Sequence, residues 1–182
     1  MRFYAVAMAV ALLWRGGFRG ASVLYAGPGA AARGVAWLED VSLGLATGLA
    51  VVVLSDIATR STRWGEALAR TLAETLGPLR LRDCVLLAVL SGVAEEALFR
   101  GAIQPELGLV TTSLVFGLAH LVPRRELLPW TAFTVLAGFL LGGLYLWTGN
   151  LVAPVVTHVV VNGVNLRRLT RDLELADPAS AP

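Results

Sequence analysis

The chain contains no lysine, a single cysteine (Cys84) and two histidines (His120 and His158), and only 15% of its residues are charged. Each shortage excludes something. One cysteine rules out an internal disulfide and leaves Cys84 as a small apolar side chain. Soluble domains carry about a quarter charged residues. A chain that is 56% hydrophobic, with a mean hydropathy of +0.69, cannot cover its surface for water and is expected in a bilayer. All fifteen basic residues are arginine, which is read as genomic base composition rather than function. They sit at the ends of apolar runs and the net charge is only +2, a pattern of membrane orientation that excludes a nucleic-acid partner.

What is present is apolar runs. A span needs about 20 apolar residues, so 182 residues suit one domain of several spans. Six segments can be drawn, at 3–14, 36–55, 84–107, 109–122, 127–148 and 151–166. The first is read as a membrane helix rather than a cleaved signal, because a polytopic remainder needs no such signal. Between the second and third, "TRWGEALARTLAETLGP" places Trp64, Leu68, Leu72 and Leu76 four apart, with Glu66 and Arg70 spaced as an ion pair and Gly77-Pro78 as a stop. That is an amphipathic helix lying at the membrane interface or under the bundle. The expected fold is an all-α integral membrane protein, a bundle of about six transmembrane helices plus one amphipathic interfacial helix. It is organised as N-terminal helices and connector (1–83), a helical core (84–166) and a polar, frayed tail (167–182). Gly44/Gly48 and Gly138/Gly142 have the small-xxx-small spacing that lets helices approach. With six spans, eleven arginines fall on one side and Arg15, Arg19 and Arg33 on the other, which puts both termini in the cytoplasm.

Inside the apolar runs a few polar residues stand out: Glu95, Glu96, Arg100, His120, His158 and Asn162, with Thr157 and Asn165 nearby. An ionisable group at bilayer depth costs about 2.5–3.5 kcal/mol by insertion scales, so it needs a reason to be there. Glu96 and Arg100, Phe116 and His120, and His158 and Asn162 are each four apart and share a helix face. Three helices thus present polar stripes that are stabilised only by facing one another. A buried structural salt bridge explains Glu96 and Arg100 at least as well as direct chemistry does. Both histidines beside a glutamate pair point instead to a reactive site. No Gly-x-Ser-x-Gly elbow or His-Glu-x-x-His is present, and Ser91 and Ser113 have no patterned partner. What remains is carboxylate plus imidazole. A glutamate in a dry pocket is an effective base for water, a histidine beside it can hold that water, and a second histidine with an asparagine can donate to an oxyanion. The same Glu and His side chains could instead hold a zinc ion that activates the water.

These stretches carry a resemblance. "EEALFR" resembles the Glu-Glu-x-x-x-Arg motif of the CPBP family, the CAAX proteases and bacteriocin-processing enzymes that include the Ras-converting CAAX endopeptidases. "FGLAH" and "HVVVN" resemble its Phe-x-x-x-His and His-x-x-x-Asn motifs, in the family's order, over about 84–166. The resemblance implies an intramembrane endopeptidase. In it Glu95 is the water-activating base and His120 its partner, His158 and Asn162 stabilise the oxyanion, Glu96 supports them, and Arg100 makes a structural ion pair. A metalloprotease is the conventional label of that family, so zinc on Glu95, His120 and His158 stays open beside a metal-free, glutamate-dependent mechanism. The implied partners are the bilayer and a membrane-associated peptide or protein tail. An arginine-only chain suits the inner membrane of a GC-rich bacterium, where sorting-signal proteases of the myxosortase type are one subgroup.

Two rivals come from other classes: a small proton- or ion-coupled transporter using the same side chains as a relay, and a noncatalytic immunity or scaffold protein of the same fold. The first is disfavoured by the lack of an internal repeat, the second by the full set of side chains. Oligomeric state is not encoded in any of this. Drawn as straight spans, Glu95 lies about twelve residues, roughly 18 Å, into its helix, whereas His120 falls near the same end of the next one. That drawing keeps the two apart.

Overall fold

The computed structural model describes residues 2–176, with side chains through Arg171. Among these the chain is helical, with no strand beyond one isolated bridge between Tyr25 and Asn150. Helix α1 (Arg2–Leu12) widens into a π turn over Leu13–Phe18, and a short α2 (Pro28–Arg33) forms in the Gly/Ala-rich connection between the first two apolar segments. Then come α3 (Trp37–Ser61), α4 (Arg63–Leu76) and α5 (Leu81–Glu96), which continues through a π segment, Ala97–Ile103, into α6 (Gln104–Ala119). A 3-10 turn at Arg125–Leu127 leads into α7 (Leu128–Thr148), and α8 (Val152–Ala176) closes the bundle. The tail therefore departs from expectation: α8 runs ten residues past 166 as one helix, and 177–182 lie outside the described residues.

All six expected spans are helical, but among the described residues two helices are long and apolar enough to cross a membrane by length and composition, Trp37–Ser61 and Arg125–Thr148. The others miss for local reasons. Helix α1 has 11 residues, and α5 and α6 have 16 each. Helix α8 has the length but carries His158, Asn162, Asn165 and several arginines.

Helix α8 is the hub. It lies parallel to α3, where a Cβ at Gly44 would stand 2.7 Å from Val156 Cβ and one at Gly48 2.9 Å from Val160 Cβ. The small-xxx-small reading of α3 therefore holds, and its partner is α8. Helix α5 runs antiparallel to α8 on another side, with Gly92 opposite Val159 and Cys84 buried 4.0 Å from Thr170. At one end of the bundle Asn150 Oδ1 accepts from Val152 N (2.8 Å), capping α8, while its Nδ2 donates to buried Asp40 (2.8 Å). Nothing in the spacing of residues foretells that tie. Arg19 pairs with Glu106 at the same end, and Arg33 lies beside Gly149. Arg60 and Arg168 meet Asp56 at the other.

Helix α4 corrects the amphipathic reading in detail. Thr62 caps it, its side chain accepting from Gly65 N (3.0 Å), Gly77 ends it at φ 68°, and the exposed Glu66–Arg70 pair forms at 3.8 Å. The face turned to the bundle, however, is Gly65, Leu68, Leu72 and Ala73, leaving Trp64 55% and Leu76 42% exposed. Residues 64, 68, 72 and 76 span an arc of about 120° around the helix, and only the middle of that arc meets the bundle.

The depth mismatch between Glu95 and His120 disappears when both are measured from the bend at Gly108 that joins their segments. Gly108 adopts φ 76°, ψ 171° inside α6, a combination essentially confined to glycine. The chain reverses there. Before it, Arg100 and Gln104 donate to the carbonyls of Gly138 and Gly142, so this arm runs parallel to α7. After it, Leu109, Ser113 and Gly117 pack on Gly142, Gly138 and Val135, in the opposite sense. From 95 to 108 is 13 steps and from 108 to 120 is 12, roughly 20 and 18 Å at helical rise. The two arms are nearly equal, so Glu95 and His120 come to the same level. Nothing stands within 4 Å of a Cβ at Gly108, so Gly108→Ala tests backbone strain alone. The expected loss is about 1–3 kcal/mol of stability, read as a lower unfolding midpoint in detergent.

Candidate functional site

Helix α5 ends in the acidic pair. One turn beyond it, the π segment delivers Arg100 back over Glu96: Arg100 Nη1 donates to Glu96 Oε1 at 3.0 Å, and both residues are 0% exposed. Arg100 also donates to Gly138 O (3.2 Å), and its guanidinium lies 4.4 Å from the centre of the Phe116 ring. A buried charge of this kind is tolerated only when it is paired, although Arg100 Nε and Glu96 Oε2 have no hydrogen-bond partner among the described residues.

From α8, His158 Nδ1 donates to the same Glu96 oxygen at 2.7 Å. Glu96, which the sequence could place only as a support, thus holds a guanidinium and an imidazole together. Carboxylate contact at Nδ1 fixes the ring's orientation and leaves Nε2 free. One turn on, Asn162 Nδ2 donates to Ser91 Oγ at 2.9 Å, and Ser91 in turn donates to Ala88 O at 3.3 Å. Ser91 is the residue that sequence reasoning missed. It was dismissed for lack of a partner, yet it lies four residues before Glu95, on the same face of α5, and that spacing was the available signal.

His120 comes from the end of the returning arm. Its Nδ1 donates to Phe116 O at 2.8 Å, which turns Nε2 toward Glu95 Oε2 at 3.5 Å. That contact is looser than a full hydrogen bond, and Glu95 Oε2 is buried without a hydrogen-bond partner among the described residues.

The structure therefore brings the sequence candidates together as two carboxylate–imidazole pairs, Glu95 with His120 and Glu96 with His158. Phe116 touches both rings, with centroid distances of 4.6 Å to His120 and 6.3 Å to His158. This pairing does not fit the zinc alternative. A three-ligand zinc centre requires its donors to converge on one point. Among the described residues no three His, Cys, Asp or Glu side chains do so, and His158 is tied to Glu96 rather than Glu95.

Beside the pairs lies a cavity of about 70 Å³, bounded by α7 on one side and α3 and α8 on the other. His120, His158 and Asn162 line it. Glu95 does not, and meets it through His120. The arrangement places a potential base behind one imidazole, with a second imidazole and a carboxamide donor facing the same space.

Residues 78–164 match the family model described as type II CAAX prenyl endopeptidase Rce1-like. The match contains every side chain of the cluster, from Ser91 to Asn162. A Bacillus subtilis (strain 168) protein described as the uncharacterized protein YpbD is 42% identical over 82 residues, which are 44% of this chain and 42% of that protein. The chain thus spans less than half the length of that relative. No solved structure matches significantly.

Proposed function

We propose that this chain, whose residues 78–164 belong to the Rce1-like family, is an intramembrane endopeptidase that cuts a membrane-associated peptide or protein tail. The reading includes a bundle of six membrane-crossing segments, a bacterial inner membrane and cytoplasmic termini. The observation that carries it is the placement of two imidazoles and a carboxamide around one cavity, each imidazole backed by its own glutamate.

The chemistry then runs without a covalent intermediate. A water held at His120 attacks the substrate carbonyl carbon, and Glu95, which meets the cavity through that imidazole, takes its proton. The carbonyl oxygen becomes an oxyanion. His158, whose Nδ1 is committed to Glu96, has an N–H at Nε2 when it is an imidazolium, and donates from there. Asn162 supplies its second Nδ2 hydrogen, the first being held by Ser91. The tetrahedral intermediate collapses as the proton on Glu95 passes to the leaving amine nitrogen. Glu95 is regenerated as a carboxylate, the water's proton ends on the amine and its hydroxyl in the new carboxyl group, and one water is consumed per bond broken.

Asn162→Ala should lower kcat by about 10²–10³-fold, the scale of losing one oxyanion donor, with KM little changed. A rise in KM at constant kcat would move Asn162 from the oxyanion to ground-state binding. The direct test of the function is genetic and proteomic. Cells lacking the gene should accumulate uncut membrane or exported proteins, and the wild-type chain but not Glu95→Gln should restore their cleavage. Restoration by both forms would refute the peptidase reading, and proton flux through the purified chain in liposomes would favour transport instead.

A further inference from the structure

Beyond the histidines, the cavity wall is nearly featureless to a polar ligand. Trp130 and Phe133 stack on one another (5.7 Å, 24°), and Trp130 stands edge-on to His120 (6.4 Å, 70°). The rest of the lining is aliphatic apart from Phe116, Thr134, Thr157 and the site residues, with no arginine, aspartate or glutamate among its described members. Both threonine hydroxyls are spoken for: Thr134 donates to Thr131 O (2.9 Å) and Thr157 to Gly44 O (3.1 Å). The nearest fixed cation of the cluster, Arg100, is fully buried and occupied by Glu96, Gly138 O and the Phe116 face.

Two properties of a substrate follow. A charged side chain or a free chain end entering here finds no uncommitted counter-ion, since His158 is already paired with Glu96, and an uncompensated charge in an apolar wall is strongly disfavoured. Size is limited as well. The cavity is about 70 Å³, roughly half the ~150 Å³ that accommodates a benzene ring in an engineered apolar cavity. Trp130 is the bulkiest side chain on that wall and is only half-buried, so its indole sets the clearance without being part of the core.

Resting on the peptidase reading of this site, we propose that Trp130 is a specificity-determining residue. It restricts the side chain next to the scissile bond to a small uncharged group of about valine's size or less, and the bond cut lies within an apolar segment rather than at a recognised chain terminus.

The test uses the full chain in detergent and a randomised peptide library of apolar sequences. The library contains Gly, Ala, Val, Leu, Phe, Asp and Arg at every position, half as free acids and half as C-terminal amides, with cut sites read by mass spectrometry. Wild-type protein should enrich Gly, Ala and Val at least tenfold over Phe, Asp and Arg on one side of the cut, and treat acids and amides alike. Trp130→Ala, or the milder Trp130→Leu should the first misfold, should admit Leu and Phe at that position while Asp and Arg stay excluded. Cleavage that Glu95→Gln removes, but with no size preference, with an unchanged preference in a folded Trp130 variant, or with cutting of acids alone, overturns the proposal and leaves the peptidase reading intact. Absence of any Glu95-dependent cleavage overturns both.

Discussion

A Glu95→Gln variant should lose peptide cleavage by about 10³-fold or more, within the range attributed to a general base, while remaining folded and inserted. The substitution is nearly isosteric, and Glu95 Oε2 has no hydrogen-bond partner to lose. Its contact with His120 is loose at 3.5 Å. Replacing a carboxylate by an amide here removes a proton acceptor and little else, so stability should hold or rise slightly. The measurement is kcat in detergent together with the unfolding midpoint of the same preparation. A variant that keeps near-normal turnover would take Glu95 out of the mechanism and turn attention to Glu96. A variant that unfolds would instead make Glu95 structural.

The opposite balance is expected one turn further on. Arg100→Met should destabilise the protein by about 3–5 kcal/mol, the usual consequence of breaking a buried ion pair from one side. Glu96 would be left 0% exposed with only His158 against it, and the Phe116 ring would lose the guanidinium on its face. The paired change Glu96→Gln with Arg100→Met should recover much of that loss, because neither partner is then a stranded charge. It should not recover activity, since His158 would have lost the carboxylate that orients it and supports its charged form. A double-mutant cycle on the unfolding midpoint, run beside kcat, separates the two effects. If the double variant cleaves normally, Glu96 is a structural counter-ion and nothing more.

How much of this could be read without coordinates differs by scale. The helical character and most segment positions were legible because long apolar runs bounded by arginine, glycine and proline leave few alternatives. The four-residue spacings correctly placed Arg100 against Glu96, since that contact lies within one local stretch of helix. Contacts between helices were less accessible. That Glu96 rather than Glu95 takes His158, and that Ser91 takes Asn162, depends on how α5 and α8 are rotated about their axes, which spacing within one helix does not determine. The apolar arc of α4 was legible, but not which part of it meets the bundle, which leaves Trp64 and Leu76 exposed. The reversal at Gly108 was legible as the break between the segments at 84–107 and 109–122, but not that Glu95 and His120 stand nearly equal numbers of residues from it and so lie level.

That hairpin has a consequence for what can change over time. A residue inserted into either limb would carry everything beyond it about 1.5 Å along the axis and some 100° around it, swinging His120 away from its glutamate. Drift in this stretch should therefore proceed by exchange of side chains at constant length, and any indel that survives should come with a matching one across the bend.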